Sequence, residues 1–427
     1  MKRALTPLAA LLAAAAAGQA PAPAPQGKGA DLQLLEEVRR IAGQVERLRG
    51  EKFARPPVAV RAPAELRQAA AEIRARAGLS RERLEARGRA WADVGLGDSG
   101  SPQALEAVLA TDLQAIGFDS SGNRVLVDPE RLSPDTAAVE GGEPGQLLHL
   151  AGVQRDEPVF AHILVHVRQR ERRGRDHFAE TTDGLLAAAA WAEGEANLVA
   201  VRYLFDGLGL ADDVVRGRMG PASFLEGALV PPVTLDGADV QSSLLHFVYE
   251  DGFSHAAERY LAGGWPALDR AMKAGTTTRD LIHGGDPAAP VAIPAPAPPA
   301  GTRLVDEDTL GEQAVVVLVS TLSGKDNLAL QAGDGWAGDR LFRFEAGDKP
   351  QAATTLWVTR WRSEAEAQDF LYALRRAQVA RFAGRAPTAE GGAELWISGE
   401  REYRIEHAGT EVRLRVGPFT PPPKPMG

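Results

Sequence analysis

The chain has 427 residues, 44% of them hydrophobic and 25% charged, enough for two to three domains; its 45 glycines and 29 prolines stay below the roughly 25 to 30% of a chain that cannot build a core. A net charge of −9 excludes the overall cationic field that holds a phosphate backbone, so nucleic acid is not expected as a partner. The absence of cysteine excludes disulfides, thiolate-ligated metals and thiol catalysis, so any metal must be held by His and carboxylate.

The N-terminus reads Met1-Lys2-Arg3, then an apolar run from Ala4 to Gly18, then alternating Pro and Ala from Ala20. A run of about 15 residues is short of the roughly 20 that span a bilayer. A signal peptide over residues 1–20 is therefore expected, cleaved near Gly18 or Ala20. It implies a secreted or periplasmic protein with no transmembrane helix in the mature chain. A Pro/Ala linker covers 21–30.

From Leu32 to Leu48 apolar residues recur at three and four residue steps, which predicts an amphipathic helix that Pro56-Pro57 ends. Val58 to Val60 reads as a short strand. Helical spacing returns over Pro63–Trp91 and Leu105–Ile116, followed by a strand at Arg124–Val127 and a Gly-rich loop at Glu140–Gly145. Two long helices are expected from Pro158 to about Arg173 and from about Thr182 to Phe205. Two more lie around Val240–Gly263 and Pro266–Ala274, punctuated by Gly263-Gly264. Residues 287–301 are a Pro/Ala-rich linker or a strap along the surface. Beyond it, the β-branched run Ala314–Val319 reads with the strands Leu341–Phe344, Thr354–Trp361, Leu395–Ile397, Glu402–Glu406 and Thr410–Val416, with one helix at Ala365–Val379. The expected class is α+β: a mainly helical domain with a few strands over 31–286, a smaller α+β region over 302–420, and a disordered tail at 421–427.

His162 and His166 stand four residues apart, on one face of the first long helix, where both imidazoles reach one ion. With eight histidines, chance alone predicts roughly 0.15 such pairs, so the spacing needs support. It comes from Glu193, in Glu193-Gly194-Glu195-Ala196 at the middle of the next helix. A carboxylate on an adjacent antiparallel helix, beside a glycine that permits close approach, completes a two-His-one-Glu set suited to zinc. Asp183, ten residues before Glu193, is a candidate partner for an imidazole N–H or an ordinary acid at a helix N-terminus.

These residues, with Gly117-Phe118-Asp119, His177-Phe178, Tyr249-Glu250-Asp251-Gly252, Gly263-Gly264-Trp265, Asp308-Thr309-Leu310-Gly311 and Gly335-Trp336-Ala337-Gly338-Asp339-Arg340, resemble in order the secreted or surface bacterial and archaeal proteins related to gluzincin-type zinc metallopeptidases. The resemblance implies a zincin-like fold for 31–286, a zinc ion on His162, His166 and Glu193, and peptide hydrolysis. One position departs from it. Such a family carries Glu after its first His, the general base for the metal-bound water, and here that position is Ile163. Loss of a general base typically slows a reaction by about 10² to 10⁴-fold. Glu195 lies about 200° around the helix from Glu193 and faces away, so it does not substitute.

The expectation is therefore a secreted pseudoenzyme that binds an unidentified protein or peptide ligand or acts as a scaffold. Ile163 is expected to border the cleft rather than the deep core. The rivals are an active zinc hydrolase using a base such as Glu250 or His283, and a metal-free structural envelope protein. The arginines at 168, 170, 172, 173 and 175 read as a solvated helix end, and the remaining histidines as surface or core residues.

Overall fold

The computed structural model describes residues 28–66, 68, 79–102, 105, 116–118, 124–127, 157–173, 180–216, 239–274, 277–284, 289–347 and 349–419. The expected signal peptide (residues 1–20), the expected loop at 140–145 and the expected tail at 421–427 lie outside them. In chain order the elements are α1 (Lys28–Arg49), β1 (Val58–Arg61), α2 (Arg81–Val94), β2 (Ile116–Phe118), β3 (Arg124–Val127), α3 (Glu157–Arg173), α4 (Thr182–Phe205) and α5 (Ala211–Val215). They continue with α6 (Val240–His246), a π-helical turn (Phe247–Asp251), α7 (Gly252–Ala274), α8 (Thr278–His283), β4 (Arg303–Asp308), α9 (Gly311–Ser323) and α10 (Asp326–Gly333). The chain ends with β5 (Trp336–Ala346), β6 (Lys349–Trp361), α11 (Glu364–Arg381), β7 (Thr388–Glu390), β8 (Ala393–Ser398), β9 (Arg401–Ala408) and β10 (Glu411–Pro418). This is an α+β protein. Among the described residues, no helix is long and apolar enough to cross a membrane.

Two expectations are corrected here. Ala314–Val319 lies inside α9, not in a strand. Short apolar runs carry no period that separates strand from buried helix, and the deciding signals are the flanking glycines: Gly311 at φ 84° before the run and Gly324 at φ 63° as a left-handed cap after it. Ile116, expected to end a helix, begins β2 and pairs with Val127.

The chain forms two compact units that interleave in sequence. One holds α1, the small sheet, α3, α5 and the part of α4 from Ala196; the other holds α2, α4 as far as Glu195, and the elements from α6 onward. In the first, β1 pairs parallel with β3 and β2 antiparallel with it, in the order β1-β3-β2. Val38, Ile41 and Val45 of α1 are fully buried, as their three and four residue spacing predicts.

The second unit is built on a seven-stranded antiparallel sheet, order β4-β5-β6-β10-β9-β8-β7. Along β6 the inward residues Thr355, Trp357, Thr359 and Trp361 alternate with their neighbours, and Phe370 of α11 packs against Trp361 and Trp357 at centroid distances of 4.5 and 5.7 Å. Helix α2, capped by Ser80 accepting from the Arg83 amide, sets a buried guanidinium against the same sheet: Arg87 Nε lies 3.0 Å from Asp306 and 3.5 Å from Asp308. Asp308 in turn accepts from the Thr182 amide and hydroxyl at 2.7 and 2.6 Å, which pins the N-terminus of α4.

Candidate metal centre

Helix α3 starts on Glu157 and Pro158, an acid and a proline suited to a first turn. Glu157 is buried and is met by Arg40 at 2.8 Å and by the Tyr203 hydroxyl. From Phe160 to Gln169 every residue of the helix is buried, so it has no solvated stripe. Two imidazoles in such a helix need polar partners, and each finds one in the other: His162 Nε2 and His166 Nε2 are 3.0 Å apart, their rings at 74°. His166 Nδ1 lies 2.9 Å from Gln169 Oε1, an oxygen that only accepts. The Gln169 amide thus meets His166 at Nδ1 and leaves its Nε2 turned towards His162.

Glu193, itself 4% exposed, comes from α4. The helix is continuous past Ala196, so Glu193 stands less than one turn before it. Ligand atoms of His162, His166 and Glu193 all lie within 4.8 Å of one another, and this is the one such group among the described residues that could hold a metal ion. Two imidazole nitrogens and one carboxylate are a borderline-soft donor set that suits zinc better than calcium or magnesium. The group could hold a metal ion.

Gln169 belongs to the helix segment His166-Val167-Arg168-Gln169 that carries the resemblance, but it was not among the expected site residues. It stands three residues after His166, on the same helix face, and an amide at that spacing next to a candidate ligand was the available signal. Asp183 is not the imidazole's partner. It lies ten residues, about 15 Å, from Glu193 along α4. Its Oδ1 accepts from the Thr278 amide and hydroxyl at 2.9 and 2.6 Å, and its own amide donates to Thr309. It is the helix N-terminal acid.

Ile163 is 2% exposed, so it packs in the core and does not border an open cleft. The arginine run is also corrected at Arg168, which is 3% exposed: it donates to Glu51 and to the Glu51 carbonyl and stacks over Phe53 at 5.6 Å. A buried guanidinium with a carboxylate and a ring face is a packing element, not a solvated helix end. Arg172 is exposed and meets Glu51 at 3.2 Å. The two alternative bases are paired elsewhere, Glu250 with His246 at 3.1 Å and His283 with Glu312 at 2.7 Å.

Full burial pushes the Asp183 carboxyl up from 3.8 to about 7, against the opposing pull of the Thr278 hydrogen bonds. An acid whose folded pKa is raised holds its proton in the native state after the unfolded chain has lost it. Its contribution is complete below the unfolded value near 4 and is lost as pH rises towards 7, with a slope of up to about 1.4 kcal/mol per pH unit. Urea unfolding at steps from pH 4.5 to 7.5 is expected to show this slope, and Asp183→Asn is expected to flatten it. An unchanged slope in the variant would place its origin in other groups.

The model of a domain of unknown function, DUF8575, matches residues 302–421, the stretch that holds the seven-stranded sheet and not the two histidines or Glu193. No curated protein and no solved structure matches the chain.

Proposed function

We propose that the protein is a secreted, metallopeptidase-like pseudoenzyme that holds a divalent metal, zinc first, on His162, His166 and Glu193, and acts as a binding or scaffold module for a protein or peptide ligand. The observation that carries this reading is the buried meeting of two Nε2 atoms at 3.0 Å with a carboxylate within ligand reach. A bound zinc ion would supply positive charge that braces two buried helices and neutralises the carboxylate. Gln169 holds the His166 ring in place for that role. Ile163 supplies no proton acceptor, and Glu250 and His283 are each held by another partner, so none of these three positions provides a general base for peptide hydrolysis.

The test is thermal unfolding of the metal-stripped mature protein with and without zinc. A ligand that binds only the folded state at 100 times its Kd stabilises by about 2.7 kcal/mol. A clear rise in Tm is expected, absent in His162→Ala and in Glu193→Ala, together with no cleavage of unfolded protein substrates. No zinc response in the wild type would favour the metal-free structural reading. Zinc-dependent cleavage that His162→Ala abolishes would establish the hydrolase instead.

A further inference from the structure

The proline-rich segment after α8 is not a free linker. Val291 donates its amide to the Ala337 carbonyl at 2.8 Å, so the segment joins the start of β5, where β4 no longer pairs. Gly338 makes the approach possible, since a Cβ there would fall 2.8 Å from the Val291 oxygen and 2.9 Å from its nitrogen. Two residues on, Ile293 packs on Phe342, Phe344 and Val358, beside Leu304 and Leu356. Phe342 and Phe344 are stacked with centroids 6.3 Å apart and are 0% and 1% exposed. The strap thus runs over the outer face of β5, from Gly338 towards Phe344.

It is held at few points. Between Pro290 and Gly301 only Ile293 is half-buried; the rest, five prolines among them, are exposed, Val291 at 48%, and none is charged. Beyond the Val291 bond, the other backbone hydrogen bond recorded for the strap is a turn closed by the Thr302 amide on Pro299. Proline fixes the extended backbone in advance, so such a segment docks on an apolar aromatic strip at little conformational cost.

We propose that the strip formed by Phe342, Phe344, Leu356 and Val358, with the Ala337–Gly338 edge beside it, is a docking surface for an uncharged, proline-rich extended segment of a partner protein, and that the strap is its displaceable cover. The occupant is specified by what already sits there: an extended backbone that donates one amide to Ala337, passes closely over Gly338, and places a β-branched side chain two residues later on the phenyl rings. A tethered cover competes at an effective concentration in the millimolar range, so a partner segment gains access only when the strap lifts.

The experiment uses a fluorescent peptide of residues 289–300 and the full mature chain. Ile293→Asp removes the strap's anchor and leaves the strip intact. The peptide is expected to bind this variant at least about tenfold more tightly than the wild type. Adding Gly338→Val, which blocks the close passage, is expected to abolish that binding, as is an Asp in place of Ile in the peptide. Equal binding to wild type and variant, or none to a variant whose melting remains cooperative, would overturn the proposal. Dimers of Ile293→Asp that the peptide does not dissociate would assign the strip to a second copy of this chain and overturn it too. Should Ile293→Asp fail to fold, a protease site inserted after Pro299 and cut after folding releases one end of the native strap, and the same binding outcomes apply.

Discussion

Replacing Ile163 with glutamate is expected to lower stability by about 3 kcal/mol or more, without restoring hydrolysis. The position corresponds to the general base of the resembling peptidases, which makes the substitution look like a repair. The packing makes it an injury. Ile163 is 2% exposed in a helix whose neighbours Phe160, Ala161, Leu164, Val165 and Val167 are all buried. A carboxylate buried there loses its water, which raises its pKa so that it ionises only at high pH or stays protonated. The penalty is therefore expected to grow as pH rises through neutrality. Thermal unfolding of Ile163→Glu at pH 5 and pH 8, each with and without zinc, measures it. A Tm within about 2 °C of the wild type at pH 8 would mean that the side chain reaches solvent or the metal. Recovery of Tm on adding zinc would mean that the added carboxylate lies close enough to the ion to be neutralised by it.

Much of the fold was legible where a local signal and a period agreed. The bounds of α4 follow from Thr181-Thr182-Asp183 ahead of a long apolar run, and the break in α7 from Gly263-Gly264, where φ moves from −173° to 66°. Strand β10 alternates, Val412, Leu414 and Val416 buried between exposed Arg413 and Arg415, and β9 buries Tyr403 and Ile405 on one face, whereas β6 is buried on both faces. What failed was of two kinds. Ala314–Val319 is too short and too uniformly apolar for a period to decide, so β-branching misled and the flanking glycines were the better guide. Arg168 and Ile163 were misjudged, and Asp183 was left between two readings, because their surroundings come from far along the chain: Glu51 and Phe53 for the first, the packing of a fully buried helix for the second, Thr278 for the third. Of the candidate site, the i, i+4 pair and Glu193 were readable from spacing, whereas the 3.0 Å meeting of the two Nε2 atoms and the Gln169 partner depend on side-chain rotamers that spacing does not specify.

Gly194→Ala, next to the candidate ligand Glu193, is expected to cost about 3 kcal/mol or more, although alanine is the better helix former by about 1 kcal/mol. A Cβ on Gly194 would lie 2.2 Å from the Gly252 carbonyl oxygen, 2.7 Å from its carbon and 3.0 Å from the Ala256 Cβ. The opposing helix is equally bare: a Cβ on Gly252 would lie 2.5 Å from the Ala190 carbonyl oxygen. Both clashes are with backbone, so no side chain can swing away, and the two helices must separate by several tenths of an ångström or more along a line of buried contacts. The step propagates to the site, because Glu193 is one residue from the displaced point and its carboxylate must meet two imidazoles that stay with α3. The zinc-dependent rise in Tm is therefore expected to shrink in Gly194→Ala along with the Tm itself. Gly207→Ala provides the contrast, since nothing lies within 4 Å of a Cβ there, and its Tm and zinc response are expected to match the wild type. Equal Tm values for the two variants would show that the α4 contact yields without cost, and a Gly194→Ala protein that melts early yet keeps the full zinc shift would separate the helix contact from the metal ligands.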